Sequence, residues 1–138
     1  MADHPEPSVV MTNIADVTPV PVSTLTVDHD EGTARVLVSA AINGSPDLFV
    51  SNFRMGPNQH HPKHVHPNVG EVYFILDGRC QMTVGDRVEW LGAGTAIYVP
   101  KGTPHCTDTG DEGVSVLVIF PEGDFDKVGK AFVDEDPS

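Results

Sequence analysis

The chain has 138 residues, 39% of them hydrophobic and 20% charged, which is enough to bury a core within one domain and too short for several. Eight Lys and Arg against 20 Asp and Glu give a formal net charge of −12, which repels a phosphate backbone or an anionic bilayer and argues against nucleic acid and membrane surfaces as partners. No apolar run approaches the ~20 residues of a membrane span, the N-terminus lacks the basic-then-apolar order of a secretory signal, and Cys80 and Cys106 are too few for a disulfide framework, so a cytoplasmic protein with reduced thiols is expected.

In chain order, residues 1–22 read as an extended arm, because Pro5, Pro7, Pro19 and Pro21 oppose regular pairing. From residue 23 onward, short runs rich in Val, Ile, Thr and aromatics predict about eight strands, at 24–27, 35–42, 47–55, 71–76, 79–84, 87–91, 95–99 and 114–120. Asn43-Gly44, Asp77-Gly78, Gly85-Asp86 and Gly110-Asp111 tolerate the positive φ of tight turns and predict hairpins between neighbours. An all-β fold follows, a closed barrel or double-sheet jelly roll occupying 23–122. The tail, 123–138, holds one short helical candidate at 124–132, with Phe125, Val128 and Phe132 at roughly helical spacing, and a frayed end from 134. Phe49, Phe53, Met55, Ile75, Met82, Trp90, Ile97 and Val99 include the filling of the barrel, with the inward or outward sense of each left open. Cys80 and Cys106 read as buried apolar thiols.

The chemistry concentrates in two segments. Residues 59–67 carry His60, His61, His64 and His66, and Glu71 opens the next strand. Residues two apart on a strand share a face, so His64 and His66 can aim two imidazoles at one point, and Glu71 and Tyr73 share a face by the same rule. His105 is remote in sequence, but Pro100, Gly102 and Pro104 fix a turn that can direct its side chain inward. Three imidazoles and a carboxylate suit one divalent transition metal ion (iron, manganese, nickel, copper or zinc) and leave one or two coordination positions open for water, oxygen or substrate. His60 and His61 read as a solvated loop pair. Tyr73, on the Glu71 face, is a candidate general base or hydrogen-bond donor to substrate, because a nearby dication favours loss of a phenol proton.

These residues resemble the cupin superfamily, and specifically a small metal-binding protein with a single cupin barrel. The first motif, G-x5-H-x-H-x3or4-E-x6-G, matches His64, His66, Glu71 and Gly78; the second, G-x5-P-x-G-x2-H-x3-N, matches Gly94, Pro100, Gly102 and His105. Gly56 stands two residues too far from His64, implying a longer loop, and Thr109 holds the final Asn position. The motifs span 56–109 and the surrounding strands extend the likeness to about 23–120. The resemblance implies a double-stranded β-helix with His64, His66, Glu71 and His105 as metal ligands. Cupins include dioxygenases, decarboxylases, isomerases, lyases, sugar-binding regulators and storage proteins, so the activity must be argued from the site. A metal centre with open positions favours an enzyme acting on a small molecule, with dioxygenase chemistry as the leading expectation. The alternatives are a lyase or isomerase and a non-catalytic ligand-binding protein. The segments 71–75 and 119–125 are similar to those of small dimethylsulfoniopropionate lyases, in which a metal and a tyrosine remove a proton next to a carboxylate; there Tyr73 and Glu71 would be catalytic. Apolar residues on both faces of 72–76, including Val72, Phe74 and Leu76, predict a homodimer.

Overall fold

Alternation of apolar and polar residues with period two sets the strands, and the computed structural model describes residues 3–24 and 31–133. The strands are β1 (Val20–Pro21), β2 (Thr33–Val38), β3 (Phe49–Met55), β4 (His60–Val65), β5 (Glu71–Val84), β6 (Arg87–Gly92), β7 (Ala96–Val99), β8 (His105–Asp108), β9 (Val114–Phe120) and β10 (Ala131–Phe132), with helical turns α1 (Ala40–Asn43) and α2 (Phe125–Val128). They pair in the order β1-β2-β3-β9-β5-β8-β4-β10, with β6 and β7 also on β5, and the described pairs are antiparallel. This is the expected all-β jelly roll, a double-stranded β-helix. Strand β9 shows the pattern plainly: Val114, Val116, Val118 and Phe120 are buried while the residues between them are half-exposed.

The long strand β5 joins the two halves of the roll. Its first part pairs with β7 and β9, its second with β6 and β8, and the register shifts between Ile75 and Asp77. Asp77-Gly78 is therefore not the expected hairpin but the corner of one continuous strand. Gly78 takes φ 79°, and a Cβ there would lie 2.0 Å from the Gly113 carbonyl oxygen, so only glycine fits the corner. Gly85-Asp86 is a true two-residue hairpin, with Val84 paired to Arg87 and Gly85 at φ 59°.

Asn43-Gly44 and Gly110-Asp111 also differ from expectation. The first ends α1: Ser39 caps the turn by accepting from the Ile42 N–H at 3.1 Å, and Gly44 closes it in the left-handed region at φ 73°. The predicted strand over 35–42 accordingly stops at Val38. The second connects β8 to β9, which lie in different halves of the roll and do not pair. Strands β4 and β8, absent from the sequence reading, are the ones that carry the histidines. The predicted C-terminal helix is a single turn, because Gly129 takes φ 76° and the chain then pairs as β10 with β4.

Among the described residues, the N-terminal arm carries a 3₁₀ turn at Ile14–Asp16, the short edge strand β1 and the start of a second 3₁₀ turn at Val22–Thr24. It is held to the body where Ser8 N–H donates to the Asn43 carbonyl and the Asn43 amide donates to the Ser8 carbonyl, both at 2.9 Å. Residues 25–27 of the first predicted strand and the tail from 134 lie outside the described residues.

The interior is filled by Phe49, Phe53, Met55, Ile75, Met82 and Val99, settling their inward sense. Ile97 is half-buried against this core. Trp90 faces outward, with the Arg79 guanidinium 5.1 Å from its ring centre. Both cysteines are buried and neither forms a disulfide, and burial pushes the Cys80 thiol up to about 11. No helix of the described residues is long and apolar enough to cross a membrane.

Candidate metal centre

Cross-strand pairing assembles the site. In the β4–β8 ladder His64 stands directly opposite His105, and their ring centres are 4.1 Å apart. His66 follows just past the end of β4, where its carbonyl accepts from Gly102 N–H at 2.8 Å; the Pro100–His105 turn is thereby pinned to the histidine strand. Glu71, the first residue of β5, points back from the other half. The four side chains are 0–5% exposed, and one donor atom from each lies within 4.8 Å of all the others. An ion with bonds of about 2.1 Å separates opposite donors by about 4.2 Å, so a small inward adjustment would seat it.

The hydrogen bonds of the rings fix which nitrogens face the centre. Nδ1 of His64 lies 2.7 Å from the Pro62 carbonyl oxygen, Nδ1 of His66 2.7 Å from that of Gly129, and Nδ1 of His105 2.9 Å from that of Thr103. A carbonyl oxygen can only accept, so each Nδ1 carries the hydrogen and each neutral ring turns a bare Nε2 lone pair inward. Burial disfavours the protonated form of both rings, holding His64 well below the usual imidazole range and lowering His66, and the Lys130 ammonium acts in the same direction on both.

The carboxylate sharpens the point. Glu71 Oε1 is 2.6 Å from His105 Nε2 and 3.5 Å from His66 Nε2. The 2.6 Å approach brings two buried acceptors together, and neither Glu71 oxygen nor His105 Nε2 has a hydrogen-bond donor. Such a contact needs a cation, either a proton or a metal ion, between the two atoms. The donor set and its unsatisfied lone pairs fit a divalent transition ion.

A cavity of about 60 Å³ opens beside these ligands between the two halves of the roll. Its walls include Phe49, Phe53, Val118, Phe120 and Phe125, with Tyr73, His61 and Lys130 as further polar side chains. Tyr73 is buried on the Glu71 face, its ring centre 6.1 Å from that of His105, whereas Phe74 on the alternate face is partly exposed.

His60 and His61 do not form a solvated loop pair. His60 opens β4, its Nδ1 2.6 Å from Asp108 Oδ1 on β8. His61 is 6% exposed, with its ring centre 5.0 Å from that of Phe53 and 4.8 Å from that of His64. The sequence reading missed His61 because the β4–β8 register shifts between His61 and His64, the interval that holds Pro62 and Lys63. Two residues three apart, which regular alternation would send to opposite faces, both turn inward.

Thr109, at the position where the motif has Asn, holds the lengthened loop. Its hydroxyl donates to the Gly56 carbonyl at 2.6 Å and accepts from Gln59 N–H at 2.9 Å. Neither departure from the motif displaces a ligand.

Comparison with known proteins agrees with this architecture. Oxalate decarboxylase OxdC from Bacillus subtilis is 28% identical over 99 residues, covering 68% of this chain and 26% of that protein. A structure of that decarboxylase, described through its Mn(II) centres, superposes with a TM-score of 0.71 at 22% identity over 92% of this chain and 34% of the other. Dimethylsulfoniopropionate lyase DddQ from Ruegeria pomeroyi is 37% identical over 62 residues, 44% of this chain and 30% of the lyase. The polyketide cyclase RemF from Streptomyces resistomycificus superposes with a TM-score of 0.72 at 25% identity, covering 94% of this chain and 90% of the cyclase. The matches to the first curated relatives span between 26% and 48% of those proteins' lengths. A family model described as a cupin domain matches residues 51–120, across β3 to β9 and all four clustered side chains, and the chain belongs to the cupin family.

Proposed function

We propose that the protein is a metal-dependent cupin enzyme in which His64, His66, Glu71 and His105 hold one divalent transition ion, and in which a small organic molecule reacts by lyase-type chemistry in the adjoining cavity. The observation that carries the metal is the inward set of three bare Nε2 lone pairs around a carboxylate without donors. Bound there, the ion would act as a Lewis acid on a substrate oxygen. The protein's own contribution is position and proton transfer. Glu71 and the imidazoles are fixed by strand pairing and by carbonyls behind them. Tyr73 presents a phenol to the same cavity, and the apolar walls limit water.

In the lyase reading, the deprotonated Tyr73 oxygen takes a proton from the carbon next to a carboxyl or carbonyl group. The freed electron pair forms a carbon–carbon double bond, and the leaving group departs with its bonding pair. The tyrosine then returns its proton to the leaving group or to water. The burial of Tyr73 beside Glu71 supports this reading, as does the likeness to a lyase and a decarboxylase. Dioxygenase chemistry, the leading expectation from the sequence, is the second reading. It is favoured by the four-ligand set, which leaves positions for dioxygen and substrate on a redox-active ion.

The deciding experiment is anaerobic purification with elemental analysis, followed by parallel assays for oxygen uptake and for anaerobic elimination or decarboxylation. Turnover without oxygen supports the lyase reading. Iron with stoichiometric oxygen uptake refutes it in favour of the second, and a protein that takes up no transition metal refutes both.

A further inference from the structure

Among the described residues lining the cavity, Lys130 supplies the lysine ammonium, and the fold goes to some length to put it there. Asp124 caps α2 by accepting from Asp126 N–H at 3.0 Å, and α2 leads into the segment that carries Lys130. Gly129 then adopts φ 76° and ψ 148°, and a Cβ there would stand 2.9 Å from the Asn68 amide nitrogen. This glycine backbone lets the Gly129 carbonyl face His66 while the next residue, Lys130, lies along the cavity. The Lys130 ammonium is 5.0 Å from the centre of the Phe132 ring, which is itself 6.3 Å from that of His64.

The cavity lining therefore has three parts: polar groups from the ligand cluster and Tyr73, apolar walls from phenylalanine and valine, and the Lys130 cation. A chain with a formal net charge of −12 repels anions at long range, so an anionic substrate would need a local positive charge to be held. We propose that Lys130 is the substrate-recognition residue of this cavity, pairing with the carboxylate of a short aliphatic acid whose carbon chain lies against the phenylalanine walls. This specificity rests on the metal-dependent reading given above. A charge-assisted hydrogen bond at a partly buried site is typically worth a factor of ten or more in affinity.

The test uses the full chain loaded with Mn(II), with propionate and its neutral isostere propionamide as probes. Calorimetric titrations compare wild type, Lys130→Arg and Lys130→Met. The expected result is preference of wild type for propionate over propionamide, an affinity for propionate within about threefold in Lys130→Arg, and a loss of about tenfold or more in Lys130→Met. Propionamide binding should be indifferent to the substitution. Unchanged propionate affinity in Lys130→Met, or equal binding of the two probes by wild type, overturns the role of Lys130. Mn(II) uptake is titrated separately, so these outcomes leave the metal-dependent reading standing, whereas absence of uptake by wild type overturns both. Should Lys130→Met fail to fold, the same comparison with Lys130→Gln decides the matter.

Discussion

The contact between Glu71 and His105 makes a prediction that metal magnifies. Without metal, the Glu71 carboxylate and His105 Nε2, 2.6 Å apart with no other donor, need a proton between them, which makes the contact a charge-assisted hydrogen bond. In Glu71→Gln the amide N–H can donate to His105 Nε2 instead, but this neutral bond is worth about 1 kcal/mol less. For a chain of 138 residues, 1 kcal/mol moves Tm by about 3–4 °C. In chelator, Glu71→Gln should therefore melt about 3 °C below wild type. With metal at about 100 times the wild-type Kd, wild type gains about 2.7 kcal/mol, or about 9 °C. If losing the carboxylate weakens binding about 100-fold, the variant stands near its own Kd and gains only about 0.4 kcal/mol, widening the gap to about 11 °C. The assay is thermal unfolding of both proteins in chelator and across a metal titration. The reasoning is refuted if Glu71→Gln is as stable as wild type in chelator, or if metal raises both melting temperatures equally.

Three further outcomes follow from the same geometry. His64 and His66 have imidazole pKa values lowered below the usual 6.5 of the unfolded chain, so below about pH 6.5 the unfolded state takes up protons that the folded state refuses. Metal-free stability should fall with pH below that point, by as much as ~1.4 kcal/mol per pH unit for each ring, and level off above it; urea midpoints in chelator at pH 5.0, 6.0 and 7.5 check this, and a flat profile contradicts it. Tyr73→Phe should leave folding and metal occupancy intact while lowering lyase turnover by about 10²–10⁴-fold, against about tenfold if the phenol only binds substrate; steady-state rates on metal-replete protein separate the two. The partly exposed apolar residues Phe74 and Leu76 on β5, with Tyr98 on the adjoining β7, predict a homodimer, to be read by light scattering in dilute solution; Leu76→Glu should shift it to monomer, and a monomeric wild type would sink the idea.

The sequence made the clustering of the candidate ligands legible because strand alternation and a proline-glycine turn are local devices. His64 and His66 needed only period two, and His105 needed only the turn over 100–104, so both survived ignorance of the fold. Features that arise from pairing between distant strands were hidden. Gly78 reads as a hairpin turn, and only the Gly113 carbonyl 2.0 Å from its would-be Cβ shows why the strand bends there without reversing. Ser39 and Gly44 flank α1 with ordinary capping residues, but a four-residue helix is too short for a periodic signal, and its residues passed for strand. Lys130 carried no signal at all, since its place at the cavity depends on the reversal of the chain at Gly129.

The orientation of the three imidazoles divides along the same line. His64 and His105 each donate to the carbonyl two residues earlier, Pro62 and Thr103, so each strand segment carries its own ring support. Both segments need the residue at that position to turn its carbonyl toward the ring, and in the first Pro62 lies within the irregularity between His61 and His64 that also brings His61 inside. His66 is different: its support is the Gly129 carbonyl, 63 residues away, on the segment between α2 and β10. That segment is fastened on both sides, by the Asn68 amide donating to the Lys127 carbonyl at 2.9 Å and by Val133 N–H donating to the Lys63 carbonyl at 3.0 Å. One ligand thus depends on the docked C-terminal segment, and the same docking sets Phe125 and Lys130 along the cavity. The orientation of His66 and part of the cavity lining are therefore built by one structural element, which is why the two-motif pattern picks out the clustered side chains while Phe125 and Lys130 beside them come from outside it.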